Sequence, residues 1–395
     1  MRYGFFGGAG TLGTWIRKAI ENNDSTMELV VIGDNNKKTI GQVIDDVKVV
    51  DANEFANYYH SGKVDMVVVA IDELWIKLNP VIKQLSNLGI EKIHILAQYI
   101  VDERVECFDV RKSLIEIETG KPCMNGNLNI VTNRHCNLNC KGCGMFANIV
   151  DKEHNMDFES QKRDLLKIKE HFSAVRYVGL FGGEPLLNKR IKEYVVLVRE
   201  LFPMACINVE TNGILLLSCD DEFYKVMSDN NVNILITPYT INSENRERMR
   251  QRCEKFNVFC NLREDSLDDC NERSRFYKAL VLPKKEVDLV DSFKDCKKRG
   301  SWYNWHVYNG RMSGCQLPLY IDVFNQKYSS PIVVDEKDTI DIYQEGLDGY
   351  KILDFLNSPT PFCKYCAYED EREEFEWEIS RDPKMEDWII GGEKK

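Results

Sequence analysis

Three cysteines in one short stretch are the residues of this sequence most able to do chemistry. They form the pattern Cys136-Asn-Leu-Asn-Cys140-Lys-Gly-Cys143, shortly after a strand predicted at Leu128–Val131. A structural zinc site normally takes four protein ligands, whereas three cysteines suit a [4Fe–4S] cluster with one iron left open to bind a reactant. The alternatives are a chance grouping and three of the four ligands of a zinc ion.

Two further motifs stand at the ends of the next predicted strands. They are Gly182-Gly183-Glu184-Pro185 and Thr211-Asn212-Gly213. Glycines at a strand end let the backbone approach a ligand, and parallel barrels bind ligands at the carboxyl ends of their strands. Alone, Gly-Gly-Glu-Pro is typical of an ordinary strand-to-helix turn. Its occurrence beside the other two motifs favours a ligand site.

The order and spacing of these motifs resemble the radical S-adenosylmethionine (SAM) superfamily, whose signature is CxxxCxxC after the first barrel strand. The resemblance implies that the three cysteines hold a [4Fe–4S] cluster and that SAM completes its open iron. It further implies that the Gly-Gly-Glu-Pro segment binds the amino group of SAM, and that the Thr-Asn-Gly segment contacts its sugar and methionine parts. Many members have an aromatic residue near the adenine just before the third cysteine, where this chain has Gly142.

The resemblance also implies a reaction. An electron donor such as flavodoxin or ferredoxin would reduce the cluster, and SAM would give methionine and a 5′-deoxyadenosyl radical that abstracts hydrogen from a substrate. The protein would position the substrate C–H bond and exclude water. No side-chain general base is required for that step, and the catalytic residues stay unassigned.

Four cysteines near the C-terminus form a second candidate metal site. Cys296 is followed by Gly310, Cys315 and, much later, Cys363-Lys-Tyr-Cys366. This order resembles the SPASM and twitch extensions of radical SAM enzymes, and the shorter twitch form fits better because no cysteine follows the last pair. One auxiliary iron–sulfur cluster, of the [4Fe–4S] type, is therefore expected, suited to electron transfer or structural support. A zinc site made of the same cysteines is the alternative.

The first part of the chain has the pattern of a nucleotide-binding fold. The turn Gly8-Ala9-Gly10-Thr11-Leu12-Gly13 lies between the first predicted strand and the first predicted helix, and Asp34 follows the second strand. Such glycines let the backbone approach a pyrophosphate, the helix N-terminus offers free N–H groups, and the carboxylate can bond a ribose hydroxyl. The turn predicts a nucleotide or nucleotide-sugar ligand. The alternative is a tight turn in a scaffold domain.

These motifs and the alternation of apolar and helical patterns predict an α/β chain in three segments. We expect a Rossmann-like doubly wound nucleotide-binding domain over 1–118, a partial (βα)6 radical SAM barrel over 119–287 and a small cysteine-rich extension over 288–395. The predicted strands are Tyr3–Phe6, Leu29–Ile32, Val67–Ile71, Ile93–Leu96, Leu128–Val131, Val175–Leu180, Ile207–Glu210, Ile234–Thr237 and Ala279–Leu282.

Composition excludes several classes of function. The 395 residues are 43% hydrophobic with no apolar stretch able to span a bilayer, and the net charge of −11 argues against an extended nucleic-acid surface. The N-terminus lacks the pattern of a secretory signal, so we expect a cytoplasmic protein. In a cytoplasmic protein, fourteen cysteines indicate metal or redox chemistry rather than disulfides, because a reducing compartment does not sustain structural disulfides. Cys107, Cys123, Cys206 and Cys219 are interpreted as small core residues, and His306 as a packing residue.

Three functions are compatible with these features. The first is hydrogen abstraction from a small carbohydrate or cyclitol, free or linked to a nucleotide, ending in alcohol oxidation or epimerisation. It is favoured because the first segment resembles the nucleotide-binding lobe of sugar-modifying enzymes, and twitch-bearing relatives include a dehydrogenase of an aminocyclitol alcohol. The second is maturation of a ribosomal peptide. The third is a non-enzymatic, metal-containing nucleotide sensor.

Overall fold

The computed structural model divides the chain into two compact units. It describes residues 1–70, 77–151, 156–262, 275–278, 280–283, 286–298 and 304–391. The N-terminal unit comprises Met1–Asn125, Lys169–Tyr177 and Phe202–Cys206, and the barrel unit comprises Gly126–Ile168, Val178–Leu201 and Ile207–Lys395. The predicted strand residues Ile71 and Ala279 lie outside the described residues. In the described ranges, no helix is long and apolar enough to cross a membrane.

Seven of the described strands form the sheet of the N-terminal unit. They are β1 (Arg2–Phe6), β2 (Glu28–Gly33), β3 (Val43–Ile44), β4 (Val47–Val50), β5 (Met66–Val69), β6 (Ile93–Leu96) and β7 (Leu114–Ile117). Their order is β3-β4-β2-β1-β5-β6-β7. The five central strands of this order pair in parallel, and the edge strands β3 and β7 pair antiparallel with their neighbours. The parallel strands follow the chain order 3-2-1-4-5 of doubly wound dinucleotide-binding folds, which reverses between β1 and β5.

Helices cover both faces of this sheet. They are α1 (Thr11–Asn23), α2 (Ala52–His60), α3 (Leu78–Asn87), α4 (Gln98–Glu103) and α5 (Val110–Ser113). Successive side chains of a strand point to opposite faces. Phe5 of β1 packs in one core with α1 and α4, whereas Phe6 packs in the other with α2 and α3. The doubly wound layering predicted for this segment is therefore confirmed.

The sheet of the barrel unit begins with a βα repeat. The strands in this part of the chain are β8 (Cys123–Asn133), β9 (Ala174–Gly182), β10 (Cys206–Thr211), β11 (Val232–Ile236), β12 (Cys260–Asn261), β13 (Arg275–Lys278), β14 (Leu280–Val281), β15 (Asn304–Tyr308), β16 (Arg311–Ser313), β17 (Ile340–Asp341), β18 (Glu373–Glu376) and β19 (Ile389–Ile390). The helices are α6 (Phe158–His171), α7 (Ile191–Leu201), α8 (Asp221–Asp229), α9 (Arg246–Glu254), α10 (Leu289–Lys298), α11 (Leu317–Tyr320), α12 (Asp322–Tyr328) and α13 (Gly349–Leu356). The sheet runs β12-β11-β10-β9-β8-β15-β16-β17, and α6 to α9 each connect two successive strands from β8 to β12.

The stretch predicted as a further barrel strand, Ala279–Leu282, takes a different place. Its described residues Leu280–Val281 form β14, which pairs in parallel with β19 rather than with the barrel sheet. Leu280 is buried in one core with Trp388 and Ile389. Packing against the C-terminal part of the chain therefore decides where this strand lies.

A tight hairpin explains Gly310 in the second cysteine pattern. Asn309 and Gly310 join the antiparallel strands β15 and β16, with φ angles of 47° and 72°. Two successive positive φ angles are typical of the type I′ turn, which Asn-Gly favours. The hairpin carries the chain from His306 on β15 to Cys315 just beyond β16.

Candidate cluster and cofactor site

The CxxxCxxC loop follows β8 and buries its thiols. Cys136 and Cys140 are buried and Cys143 is half-buried, and all three pack against the same apolar core. Burial raises the pKa of the Cys136 thiol to about 12, and the nearby Cys143, Glu184 and Cys140 act in the same direction. The structure thus brings the three predicted ligands together, next to the predicted SAM-binding carboxylate.

Hydrogen-bond donors reach the sulfurs of this loop from three parts of the chain. The Leu138 N–H and the Asn212 side-chain amide donate to Cys136 Sγ at 3.4 and 3.6 Å. The Trp377 indole donates to Cys140 Sγ at 3.1 Å. Such donors stabilise negative charge on sulfur, as a metal-bound thiolate requires. The donor set therefore fits ligation of an iron–sulfur cluster.

Gly142, where the family often has an aromatic residue, has no room for a side chain. Its φ is +62°, and a Cβ there would lie 2.7 Å from the Asp387 carbonyl oxygen and 2.9 Å from the Phe375 ring. The C-terminal part of the chain thus passes directly over the loop at this point. The departure noted in the sequence is a steric requirement of this chain.

Gly182 and Gly183 allow the end of β9 to lie against the residues that lead into the loop. Cβ atoms at these positions would lie 2.1 Å from the carbonyl oxygens of Asn133 and His135. The Gly183 N–H donates to the Asn133 carbonyl at 2.7 Å. Close packing of backbone on backbone therefore explains both glycines. Their predicted contact with SAM stays a prediction.

Glu184 connects the ends of two strands from a fully buried position. Its carboxylate accepts hydrogen bonds from the Thr211 hydroxyl at 2.6 Å, the Asn212 N–H at 2.9 Å and the Leu186 N–H at 3.0 Å. Burial raises the pKa of Glu184 to about 7, although the three hydrogen bonds oppose the rise. Pro185, also buried, starts the short 3₁₀ turn that follows. The carboxylate thus holds the Gly-Gly-Glu-Pro and Thr-Asn-Gly segments together.

The second cysteine set also converges. Cys296 lies in α10 and Cys315 follows β16. Cys363 lies within a 3₁₀ turn that Cys366 ends, and its carbonyl accepts a hydrogen bond from Ser292 of α10 at 2.7 Å. Burial raises the pKa of Cys315 to about 12, and the charges of Cys296 and Cys363 add to this. Cys315 thus lies near Cys296 and Cys363, and Cys366 lines the same cavity as Cys296 and Cys315.

A cavity of about 350 Å³ lies beside the second cysteine set and reaches Gly142 of the first cysteine loop. Cys296, Cys315 and Cys366 line it, as do Gly142 and His306. The His306 side chain is buried between Phe181 and Tyr320, and its Nδ1 has no hydrogen-bond partner. Burial lowers the pKa of His306 to about 3, so the ring is neutral. Its interpretation as a packing residue is confirmed, and the residue also lines the cavity.

Direct coordination of one ion is a different geometry from cluster ligation. Among the residues that the structure describes, no group of three His, Cys, Asp or Glu side chains is arranged to hold a single metal ion.

Of the thiols predicted to be core residues, Cys123 and Cys206 are buried and Cys219 is half-buried. The prediction is wrong for Cys107, which is exposed because it lies in the loop between α4 and α5.

The glycine turn of the N-terminal unit has two structural glycines and one without a packing role. A Cβ on Gly8 would meet the Phe5 ring at 2.3 Å, and one on Gly13 would meet the Gly8 backbone at 2.6 Å. Nothing lies within 4 Å of a Cβ on Gly10, which precedes α1 without a side-chain cap. In dinucleotide-binding turns the second glycine serves approach to the pyrophosphate. Asp34 follows β2 and accepts the Asn36 N–H at 2.8 Å.

Sequence reasoning missed two residues of the barrel unit, Trp377, which donates a hydrogen bond to Cys140, and the buried Asn208. Trp377 lies far from the loop in sequence, in an acidic and aromatic run that carried no motif. Asn208 of β10 is buried with its Oδ1 lacking a partner, and nothing but its polar character within an apolar strand could have indicated it.

We expect Glu184 to make the protein less stable as the pH rises from about 5 to 7. The folded chain keeps this proton up to a pKa of about 7, whereas the unfolded chain loses it near the ordinary value of 4.5. The folded state therefore binds more protons in this window, and its free energy of unfolding falls by up to about 1.4 kcal/mol per pH unit. Urea unfolding of wild type and Glu184→Gln across this range measures the effect. The variant cannot titrate here, so equal pH slopes in the two proteins would contradict the assignment.

Comparisons with known proteins find one family model and several similar solved structures. Residues 130–286 match the model of the Radical SAM superfamily. No curated protein is significantly similar in sequence to this chain. Similar solved structures include the Rex-family repressor RSP, at 25% identity over 24% of this chain and 44% of that one, with a TM-score of 0.21.

Two further solved structures are radical SAM enzymes. One is anSMEcpe with bound AdoMet and the Cp18Cys peptide, at 19% identity over 35% of this chain and 42% of that one, with a TM-score of 0.28. The other is SuiB of Streptococcus suis bound to precursor peptide SuiA, at 15% identity over 45% of this chain and 36% of that one, with a TM-score of 0.29. The chain spans less than half the length of RSP and of both these proteins. The family match over 130–286 shows that this chain contains a radical SAM domain.

Proposed function

We propose that this enzyme abstracts hydrogen from a small hydroxyl-bearing substrate of the carbohydrate or cyclitol class, and that its N-terminal unit binds a nucleotide or nucleotide sugar. The proposal for the substrate depends on one observation, a set of buried polar side chains that lie beside one another on neighbouring strands of the barrel sheet. The nucleotide proposal is supported by the strand order of the N-terminal unit and by the free position at Gly10.

The buried polar side chains form two neighbouring pairs. Asn208 of β10 lies beside Asn233 of β11, and Asn129 of β8 lies beside His306 of β15. All four are buried, and the residues on either side of them in their strands are apolar. Strands of a parallel sheet covered on both faces are normally apolar throughout. Each pair therefore places polar groups on one side of the sheet at a cost that a ligand could offset.

The unpaired atoms of two of these side chains, Asn208 and His306, favour a hydroxyl-bearing ligand. Asn208 Oδ1 and His306 Nδ1 are both buried without a partner, which is uncommon for buried polar atoms. A neutral imidazole and an amide can each donate to or accept from a hydroxyl group. Both atoms are enclosed, and His306 lines the cavity of about 350 Å³, so the proposed ligand must be small enough to enter that space. This supports a carbohydrate or cyclitol over an extended peptide.

The cofactors of the reaction fit residues that the structure brings together. Cys136, Cys140 and Cys143 would hold a [4Fe–4S] cluster, and the segments around Glu184 and Asn212 would bind SAM. When bound, these groups supply the 5′-deoxyadenosyl radical that removes a hydrogen atom from the substrate. The chain would orient these cofactors. The Asn212 side-chain amide donates a hydrogen bond to the Cys136 sulfur, and the Glu184 carboxylate accepts one from the Asn212 N–H.

The outcome at the substrate would be oxidation or epimerisation of an alcohol. Loss of a hydrogen atom from an alcohol carbon acidifies its hydroxyl group, and further loss of one proton and one electron gives a ketone. Transfer of a hydrogen atom from a donor such as a thiol to the opposite face gives an epimer instead. Oxidation needs an electron acceptor, and the four converging cysteines Cys296, Cys315, Cys363 and Cys366 would supply one if they hold an auxiliary cluster.

Anaerobic turnover of the iron-loaded protein with SAM and reductant tests the proposal. We expect cyclitols, sugars or nucleotide sugars to stimulate 5′-deoxyadenosine formation, and a deuterium label on the attacked carbon to appear in the product. Asn208→Leu should lower the stimulated rate about tenfold or more because it removes a buried hydrogen-bonding group. Asn22→Leu, an exposed position of α1, is the matched control. Stimulation by peptides alone, or no deoxyadenosine under any condition, would overturn the proposal.

Iron analysis tests the auxiliary cluster. With two [4Fe–4S] clusters, the wild type should contain about eight irons per chain and Cys315→Ala about four. Cys219→Ala, at a half-buried thiol outside the two sets, should keep the wild-type content. Unchanged iron in Cys315→Ala would refute this ligand assignment. One zinc per chain in the wild type would favour the zinc alternative.

Nucleotide binding is tested at Gly10. Val at this position meets no protein atom near its Cβ, so Gly10→Val should keep the thermal stability of the wild type. It should weaken the binding of NADH or UDP-glucose about tenfold or more, because the side chain would occupy the space of a pyrophosphate. Isothermal titration calorimetry measures both proteins. Equal affinity in the variant, or no binding of either probe to the wild type, would contradict the proposal.

A further inference from the structure

We propose that Trp377 raises the reduction potential of the cluster at Cys136, Cys140 and Cys143 by donating its indole hydrogen bond to Cys140 Sγ. The proposal rests on these cysteines being the cluster ligands, as proposed above. It makes Trp377 a positioning residue, since it acts on a ligand of the cluster and need not touch SAM or substrate. The donor and acceptor are 3.1 Å apart, short for a hydrogen bond to sulfur.

The backbone next to Trp377 is fixed on the cysteine loop. The Lys141 N–H donates to the Glu378 carbonyl and the Ser380 N–H donates to the Asn139 carbonyl, both at 2.9 Å. Between them, Cys140 and Ile379 form an antiparallel bridge. The Lys141 ammonium adds an ion pair to Glu378 at 2.6 Å. Residues 378–380 therefore follow the loop from Asn139 to Lys141, which places Trp377 beside Cys140.

Aromatic packing fixes the orientation of the indole. The Trp377 ring lies 5.1 Å from the Tyr239 ring, and Tyr239 stacks in turn on Phe276 at 6.4 Å. The Trp377 side chain is half-buried, so water competes only partly for its N–H. A rigid donor in this position keeps its hydrogen bond whether or not the cluster is reduced.

The charge on the sulfur decides the direction of the effect. Reduction adds one negative charge to the cluster and its thiolate ligands, so an N–H donor stabilises the reduced form more than the oxidised form. Removing the donor makes reduction harder. Trp388 offers a matched comparison, because its indole donates to the same loop at 2.8 Å but to the backbone carbonyl of Cys143.

Redox titration followed by electron paramagnetic resonance tests the proposal on the full-length, iron-loaded protein. The signal to follow is the one that changes on addition of SAM, which identifies the cluster with an open iron. At a fixed potential, Trp377→Phe should lower the ratio of reduced to oxidised cluster about tenfold, equal to a negative shift of about 59 mV for one electron. Trp388→Phe should leave this midpoint unchanged. An unchanged midpoint in Trp377→Phe, or an equal shift in both variants, would overturn the proposal.

A second measurement avoids the risk that Trp377→Phe loses the cluster. Trp388→Phe protein labelled with ¹⁵N-indole tryptophan should show a ¹⁵N hyperfine coupling on the SAM-responsive signal, and its absence would refute the contact. Failure of the ligand assignment and failure of the Trp377 proposal give different results. If the cysteines are not the ligands, Cys140→Ala keeps the SAM-responsive signal, whereas failure of the Trp377 proposal alone leaves that signal dependent on Cys140 with no shift or coupling.

Discussion

Thiolates in the interior of a protein need hydrogen-bond donors or a cation close by, because burial disfavours their charge. The loop from Cys136 to Cys143 meets this need only in part by itself, through the Leu138 N–H. The other donors described, Asn212 and Trp377, come from the end of β10 and from the C-terminal part of the chain. The strand order of the barrel sheet and the path of the C-terminal residues are therefore both conditions for a cluster site at this loop.

Close approaches of backbone to backbone have the same consequence. Gly182 and Gly183 let β9 lie against the start of the loop, and Gly142 lets the C-terminal residues pass over it. From the sequence alone, each of these glycines would be interpreted as a position that leaves space for a ligand. Gly10 in the N-terminal unit is the opposite case, because no protein atom restricts it. A glycine motif thus indicates a ligand most directly where the protein itself does not need the glycine.

In the proposed function, the source of the radical and the choice of substrate would depend on different residues of the barrel unit. The cysteines, Glu184 and Asn212 lie at strand ends and in the loop, where cofactors of this superfamily would bind. The buried amides and His306 lie within the strands themselves. Such a division allows one radical chemistry to serve different substrates, because the strand interior can vary while the cofactor residues stay the same.

The sequence by itself determined the parts of this protein that depend on neighbouring residues. The spacing of Cys136, Cys140 and Cys143, the positions of most strands and the glycine turn at Gly8–Gly13 all follow from local patterns, because a loop, a turn or a strand is set by residues close in the chain. Only the tertiary structure decided that Trp377 reaches Cys140, that β14 pairs with β19, and that Asn208 and His306 keep unpaired buried atoms. These contacts join residues far apart in the chain, and no periodicity or spacing encodes which distant side chain will lie beside another.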